Sequence, residues 1–183
     1  MSLLERAGIL LVSLALSAGL IALLSGFFTS RDQGSVSISA SVTGHRFRAL
    51  GDLQLKPGQR RPAYDSEPPT SGAHFPAPVT RDQVPLSDDQ LLQALAAGDV
   101  VIAYSGPRPP AGLTTLALAL APPFSPALAS AGQAVILARR PGTIGLIGLA
   151  WAHMLRVRIL TDPRLREFAA FWLGRGAPRA RRF

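Results

Sequence analysis

Within seven residues, Pro68-Pro69-Thr70-Ser71-Gly72-Ala73-His74 sets two hydroxyls and an imidazole among two prolines and a glycine. Such side chains could form half of a metal site, through a neutral imidazole nitrogen, or half of a catalytic one, through an activated hydroxyl. Asp65 and Asp99 are the carboxylates that could join His74 in a site for copper or zinc. No His-x-x-x-His or comparable spacing supports that site, and one imidazole does not hold a specific metal at useful affinity. A hydrolase built on Ser71 lacks an identifiable base. The expectation is therefore that Thr70 and Ser71 satisfy backbone groups through their hydroxyls and that His74 is a hydrogen-bonded histidine fixing a loop. His45 and His153 are isolated in sequence, and Trp151 and Trp172 are expected to fill the core. The glycines of Gly142-Thr143-Ile144-Gly145-Leu146-Ile147-Gly148 have a spacing like that of a dinucleotide loop, but they fall inside a strand pattern with no capped helix behind it. No catalytic residue and no cofactor is expected.

The composition narrows the classes further. Cysteine is absent from all 183 residues, which excludes disulfide staples, thiolate metal sites, a cysteine nucleophile and a lipobox cysteine. Lys+Arg 19 against Asp+Glu 11 gives a net charge of +8, carried by arginines apart from Lys56. These cations are scattered and no aromatic platform interleaves them, so nucleic acid is not expected as a partner.

Residues 7–28 contain no charged side chain and are dominated by Leu, Ile, Val, Ala and Phe. About twenty such residues in a helix cross the hydrocarbon core of a bilayer. The reading is an uncleaved transmembrane helix at 7–28, because cleavage near Ala15-Leu16-Ser17-Ala18 would leave an apolar segment at 21–28 exposed. A tail at 1–6 precedes it and a polar linker at 29–34 follows. Arg6 is offset by Glu5 while Arg31, Arg46 and Arg48 follow the span, a count that alone favours a cytoplasmic C-terminal domain. Long domains translocate regardless of such counts, so the flanks leave sidedness open.

The remaining chain fits one α+β domain at 35–178, a small mixed or antiparallel sheet with three or so short helices, followed by a basic tail at 179–183. Val36, Ile38, Ala40 and Val42 alternate with polar residues, predicting a half-buried strand. Residues 44–58 should hold one or two short strands and a turn at Pro57-Gly58. Residues 62–85 are too rich in proline for helix or strand and are expected to cross the domain surface as an ordered loop. Ser87 with Gln90 forms a capping-box pattern for a helix at 88–97 that buries Leu91, Leu92 and Leu95 and stops at Gly98. A strand at 100–104, a turn at 105–110 and a helix at 110–121 ended by Pro122-Pro123 follow. Strands at 134–138 and 143–149 flank Arg139-Arg140-Pro141-Gly142 as a hairpin. Residues 144–155 are too short for a second membrane span. Asp162 and Pro163 open a last helix whose Leu165, Phe168, Ala169 and Trp172 share a face, and Gly174 ends it.

Residues 64–76, centred on Pro68, Pro69, Thr70, Ser71, Gly72 and His74, resemble the Pro-Pro-Thr-Ser-Gly-Pro-His signature of the bacterial family called domain of unknown function 3105. The family follows this signature with a block reading approximately His-Asn-Leu-Glu-His-Gly and an apolar strand ending in Tyr. Here the corresponding residues are Gln93, Ala94, Leu95, Ala96, Ala97 and Gly98, then Val100, Val101, Ile102 and Tyr104. Trp151, Asp162, Phe168 and Gly176-Ala177-Pro178 also resemble family landmarks, and the likeness covers residues 54–178. Members of that family are typically membrane-anchored or exported, which implies an extracytoplasmic domain. Against the family pattern, Gln93, Ala96 and Ala97 remove two imidazoles and a carboxylate. The expected function is a single-pass, non-catalytic accessory or interaction subunit of a membrane complex, its partners being the lipid bilayer through 7–28 and membrane proteins. The alternative is a metal-binding or metal-delivery protein with a site rebuilt around His74, Asp65 and Asp99.

Overall fold

A computed structural model describes residues 40–178. The expected span at 7–28, the linker at 29–34 and the tail at 179–183 lie outside the described residues. Among those described, no helix is long and apolar enough to cross a membrane.

The domain is α+β, built on a five-stranded mixed sheet. In chain order its elements are α1 (Ala40–Thr43), β1 (His45–Arg46), α2 (Asp88–Ala97), β2 (Val100–Tyr104), α3 (Leu113–Leu118), α4 (Pro126–Ser130), β3 (Val135–Arg139), β4 (Leu146–Ala150), β5 (His153–Val157) and α5 (Pro163–Trp172). The strands run in the order β1-β5-β4-β2-β3. β2 pairs parallel with β3 on one side and antiparallel with β4 on the other, and β5 pairs antiparallel with β4 and β1.

Every residue of β2 is buried, because helices cover both faces of the sheet. Its Val101 and Ala103 pack in one layer with Leu91 and Leu95 of α2 and Ala129 of α4. Its Val100, Ile102 and Tyr104 pack in the other with Leu113 of α3 and Leu165 and Phe168 of α5. Period-two alternation thus puts apolar side chains into two cores at once, which is why the strand reads as an unbroken apolar run. Gly148 of β4 belongs to this packing: a Cβ there would lie 3.0 Å from the Phe168 ring, so its lack of a side chain lets α5 press on the sheet.

The helix at 88–97 and the strand at 100–104 have the expected bounds, and both bonds of the Ser87/Gln90 capping box form. Gly98 takes the left-handed conformation that closes α2, and Asp162 caps α5 by accepting from Arg164 N–H. The turn at Pro57-Gly58 also forms, with Gln59 N–H donating to Lys56 O at 3.0 Å.

Other expectations are corrected. The part of the alternating segment that is described, Ala40–Thr43, is a helical turn rather than a strand. It docks on α5, where Trp172 Nε1 donates to Thr43 O, and pairing with the sheet begins only at β1. The helix expected over 110–121 is confined to Leu113–Leu118, because Gly112 adopts a positive φ of 88° just before it. Residues 139–142 do not close a hairpin. β3 and β4 flank β2 on opposite sides, and the connection steps over the end of β2, where Arg140 N–H donates to Tyr104 O at 2.7 Å. With strands spaced by roughly 4.8 Å, the six intervening residues easily bridge two intervals. α4 and β5 are not among the expected elements.

Candidate functional site

The largest departure is at the Pro-Pro-Thr-Ser-Gly motif: residues 62–85 are loop as expected and mostly exposed or half-exposed, but residues 68–74 within them run inside the domain. Pro68, Pro69, Thr70, Ser71, Gly72, Ala73 and His74 are all buried. A buried loop must find partners for its backbone polar groups, and this one finds them in two neighbouring segments. Residues 48–55 lie alongside: Gly72 N–H donates to Gly51 O, His74 N–H to Leu53 O, and Leu55 N–H to His74 O, at 2.8–3.0 Å. The turn between β4 and β5 is reached through Ala152 N–H, which donates to Thr70 O at 2.9 Å.

The side chains reinforce the same ties. Ser71 Oγ donates to Arg48 O at 3.1 Å and accepts from Leu50 N–H at 3.0 Å. Thr70 Oγ1 lies 3.2 Å from Ser66 Oγ, which also accepts from Thr70 N–H. His74, 1% exposed, has its Nδ1 3.0 Å from Gly72 O. A carbonyl only accepts, so Nδ1 carries the proton. Gly72 has φ +132°, and a Cβ there would fall 2.9 Å from the Tyr64 ring, while Tyr64 Oη donates to Ala73 O at 3.0 Å. The glycine is required both by backbone conformation and by the aromatic ring lying against it. The reading of Ser71 and His74 as structural hydrogen-bonding groups agrees with this geometry.

Beyond His74 the chain runs along α2, whose side chains act as its hydrogen-bonding partner. Asp89 Oδ1 accepts from Phe75 N–H at 3.0 Å, and Gln93 Oε1 accepts from Ala77 N–H. Residues four apart share a helix face while residues two apart share one side of an extended chain, so the two spacings match. Gln93 thus turns to the segment that leaves the motif.

That segment walls a cavity of about 120 Å³ against the last turn of α2 and the end of α4. Pro78 and Val79 line one side, Gln93, Ala94 and Ala97 another, and Asp99, Ala129 and Ser130 the rest. Asp99 is the unusual group. It is 1% exposed, its Oδ1 accepts from Ala134 N–H at 2.8 Å, and its Oδ2 is buried with no hydrogen-bond partner among the described residues. Burial pushes its carboxyl up to about 7, against the smaller opposing effect of the Ala134 N–H bond. In sequence this acid stands between the Gly98 helix cap and the apolar strand at 100–104, which is the signal of its burial, whereas the expected role for it is only that of a helper at a metal site.

The three residues of that metal reading are placed differently. Asp65 is exposed, His74 is enclosed in the motif, and Asp99 faces its own cavity. Among the described residues no three His, Cys, Asp or Glu side chains are grouped so that they could hold one ion. His153 stacks on Trp172 with ring centroids 3.9 Å apart, and its Nδ1 lies 2.8 Å from Trp151 O. Burial lowers its pKa. Trp151 is buried in the core as expected, and Trp172 is half-buried.

No curated protein and no solved structure matches the chain. A family model does match, over residues 57–181, a stretch that takes in the buried motif, α2 and every strand but β1. The chain belongs to the family described as Protein of unknown function (DUF3105).

Proposed function

We propose that this chain is a membrane-tethered accessory subunit whose folded domain binds a partner rather than transforming a substrate. Residues 7–28 hold it in the bilayer, and the α+β domain faces the extracytoplasmic side. The observation that supports this reading is the commitment of the motif's polar side chains to the domain's own backbone. Ser71 Oγ already both donates and accepts, and His74 Nδ1 is bonded within the loop. A hydroxyl nucleophile needs a base within reach to take its proton, and the Ser71 proton goes instead to the Arg48 carbonyl. The experiment is purification of the full chain from membranes in mild detergent. Co-elution with a membrane protein in stoichiometric amount is expected, and a lone monomer with no co-purifying partner refutes the proposal. A reporter fused to the C-terminus reads sidedness separately.

A further inference from the structure

The cavity beside Asp99 has a chemistry that the tethered-subunit reading does not use. Its one ionisable wall group is a buried carboxyl with Oδ2 unpartnered among the described residues. Ser130 donates its hydroxyl proton to Pro126 O at 2.8 Å, which leaves lone pairs on Oγ. Gln93 commits its Oε1 to Ala77 N–H and adds no acceptor. The cavity also follows the last turn of α2, a ten-residue helix with two acids in its first turn and no basic residue in its last. No basic side chain of the helix offsets the negative end of its dipole, although its last carbonyls accept from the N–H groups of Gly98, Asp99 and Ala177. Val79, Ala94, Ala97 and Ala129 supply apolar wall between these groups. The whole is a small, half-apolar chamber whose side-chain acceptors are Asp99 and Ser130.

We propose that this cavity binds a primary ammonium group on a short aliphatic stem, with Asp99 as its counter-ion and Ser130 as a second acceptor. At roughly 30 Å³ per water-sized group, a volume of about 120 Å³ takes about four non-hydrogen atoms, the size of propylammonium or of the end of a lysine side chain. The raised carboxyl pKa fits the site, since a buried acid without a counter-ion holds its proton and a cation would displace it. The inference goes beyond the accessory role and stands without it when the amine is a free molecule.

The test uses the full chain in mild detergent with three proteins: wild type, Asp99→Asn and Ala97→Leu, the last narrowing the cavity from its exposed rim while keeping the carboxyl. Calorimetric titration with propylammonium chloride is compared with sodium chloride at matched ionic strength. Saturable binding by wild type, weakened at least about tenfold in both variants, is the expected result. A second arm uses a short peptide with one lysine and its acetyl-lysine twin. Binding of propylammonium assigns the site to a free amine, and binding of the lysine peptide alone assigns it to a partner's side chain. If neither probe saturates, the cavity is a water site and the proposal is overturned. Equal affinity in wild type and either folded variant overturns it too. Should Asp99→Asn fail to fold, Ala97→Leu carries the comparison.

Discussion

Replacing Asp99 by Asn turns a buried acid into a neutral isostere, and the consequence for stability can be worked from the structure. Asn keeps an oxygen where Asp99 Oδ1 accepts from Ala134 N–H, so the one hydrogen bond of the carboxyl is retained. The charge is what changes. In the folded domain burial raises the carboxyl from 3.8 to about 7. Over that interval the folded state keeps a proton that the unfolded chain releases, so wild-type stability falls as pH rises from about 4 to about 7 and is level above. At about 1.36 kcal/mol per unit, a shift of about three units costs wild type about 4 kcal/mol by pH 8. Asp99→Asn has no such dependence. Its stability relative to wild type should therefore rise by up to about 4 kcal/mol between about pH 4 and pH 8. The comparison must be between the two proteins, because His153 acts in the opposite sense. Its burial-lowered pKa means that stability is gained as pH rises through the imidazole range, in both proteins alike. The raised carboxyl of Asp82, bonded to Leu137 N–H, also cancels in the difference. The assay is urea unfolding of the full chain in mild detergent, followed by the fluorescence of Trp151 and Trp172, both within the domain. A stability difference that stays constant across this pH range would refute the reasoning, because Asp99 would then titrate as an ordinary carboxyl.

Two substitutions test the buried motif itself. Gly72→Ala places a methyl 2.9 Å from the Tyr64 ring at φ +132° and should cost about 1–3 kcal/mol in urea unfolding, with a Tyr64→Ala background recovering only the clash part of that loss. Ser71→Ala leaves Leu50 N–H and Arg48 O without their shared partner and should cost about 1–3 kcal/mol, whereas Ser71→Thr keeps the hydroxyl and should lose less. A Ser71→Ala protein as stable as wild type would show that water replaces the hydroxyl fully.

What the sequence shows well is what is decided within a few residues. Ser87 with Gln90, the glycine at 98, and the pair Asp162-Pro163 set helix ends through caps that need no tertiary partner. The same logic was available for α4, since Ser125 caps it through Leu128 N–H with Pro126 as its first residue. Strand pairing is different in kind. Arg139-Arg140-Pro141-Gly142 has the residues of a turn and does turn, but a local signal does not say which strand lies between the two it joins. The clue was in β2: five apolar residues in a row, with no polar alternation, mark a strand buried on both faces, as an interior strand with a partner on each side is. β5 was hidden because its outward residue, Arg156, interrupts the apolar pattern that Met154, Leu155 and Val157 continue. The burial of Pro68 to His74 depends on bonds to residues 48–55 and 152, which no window around the motif contains.

The motif and the second block therefore matter through a common element. The resemblance aligns Gln93 and Ala97, four residues apart on α2, with two imidazoles of the family pattern, and both positions line the Asp99 cavity. Ala96 points its backbone elsewhere, its carbonyl accepting from Ala177 N–H. The opposite wall, Pro78 and Val79, is held by the run that leaves His74 and is bonded to Asp89 and Gln93. Motif and helix thus fix the two sides of one chamber. With Gln93 tied to the opposite wall and a methyl at Ala97, the one ionisable group in that chamber is the buried carboxyl of Asp99, which is why the proposed ligand is placed in the cavity and not at the motif.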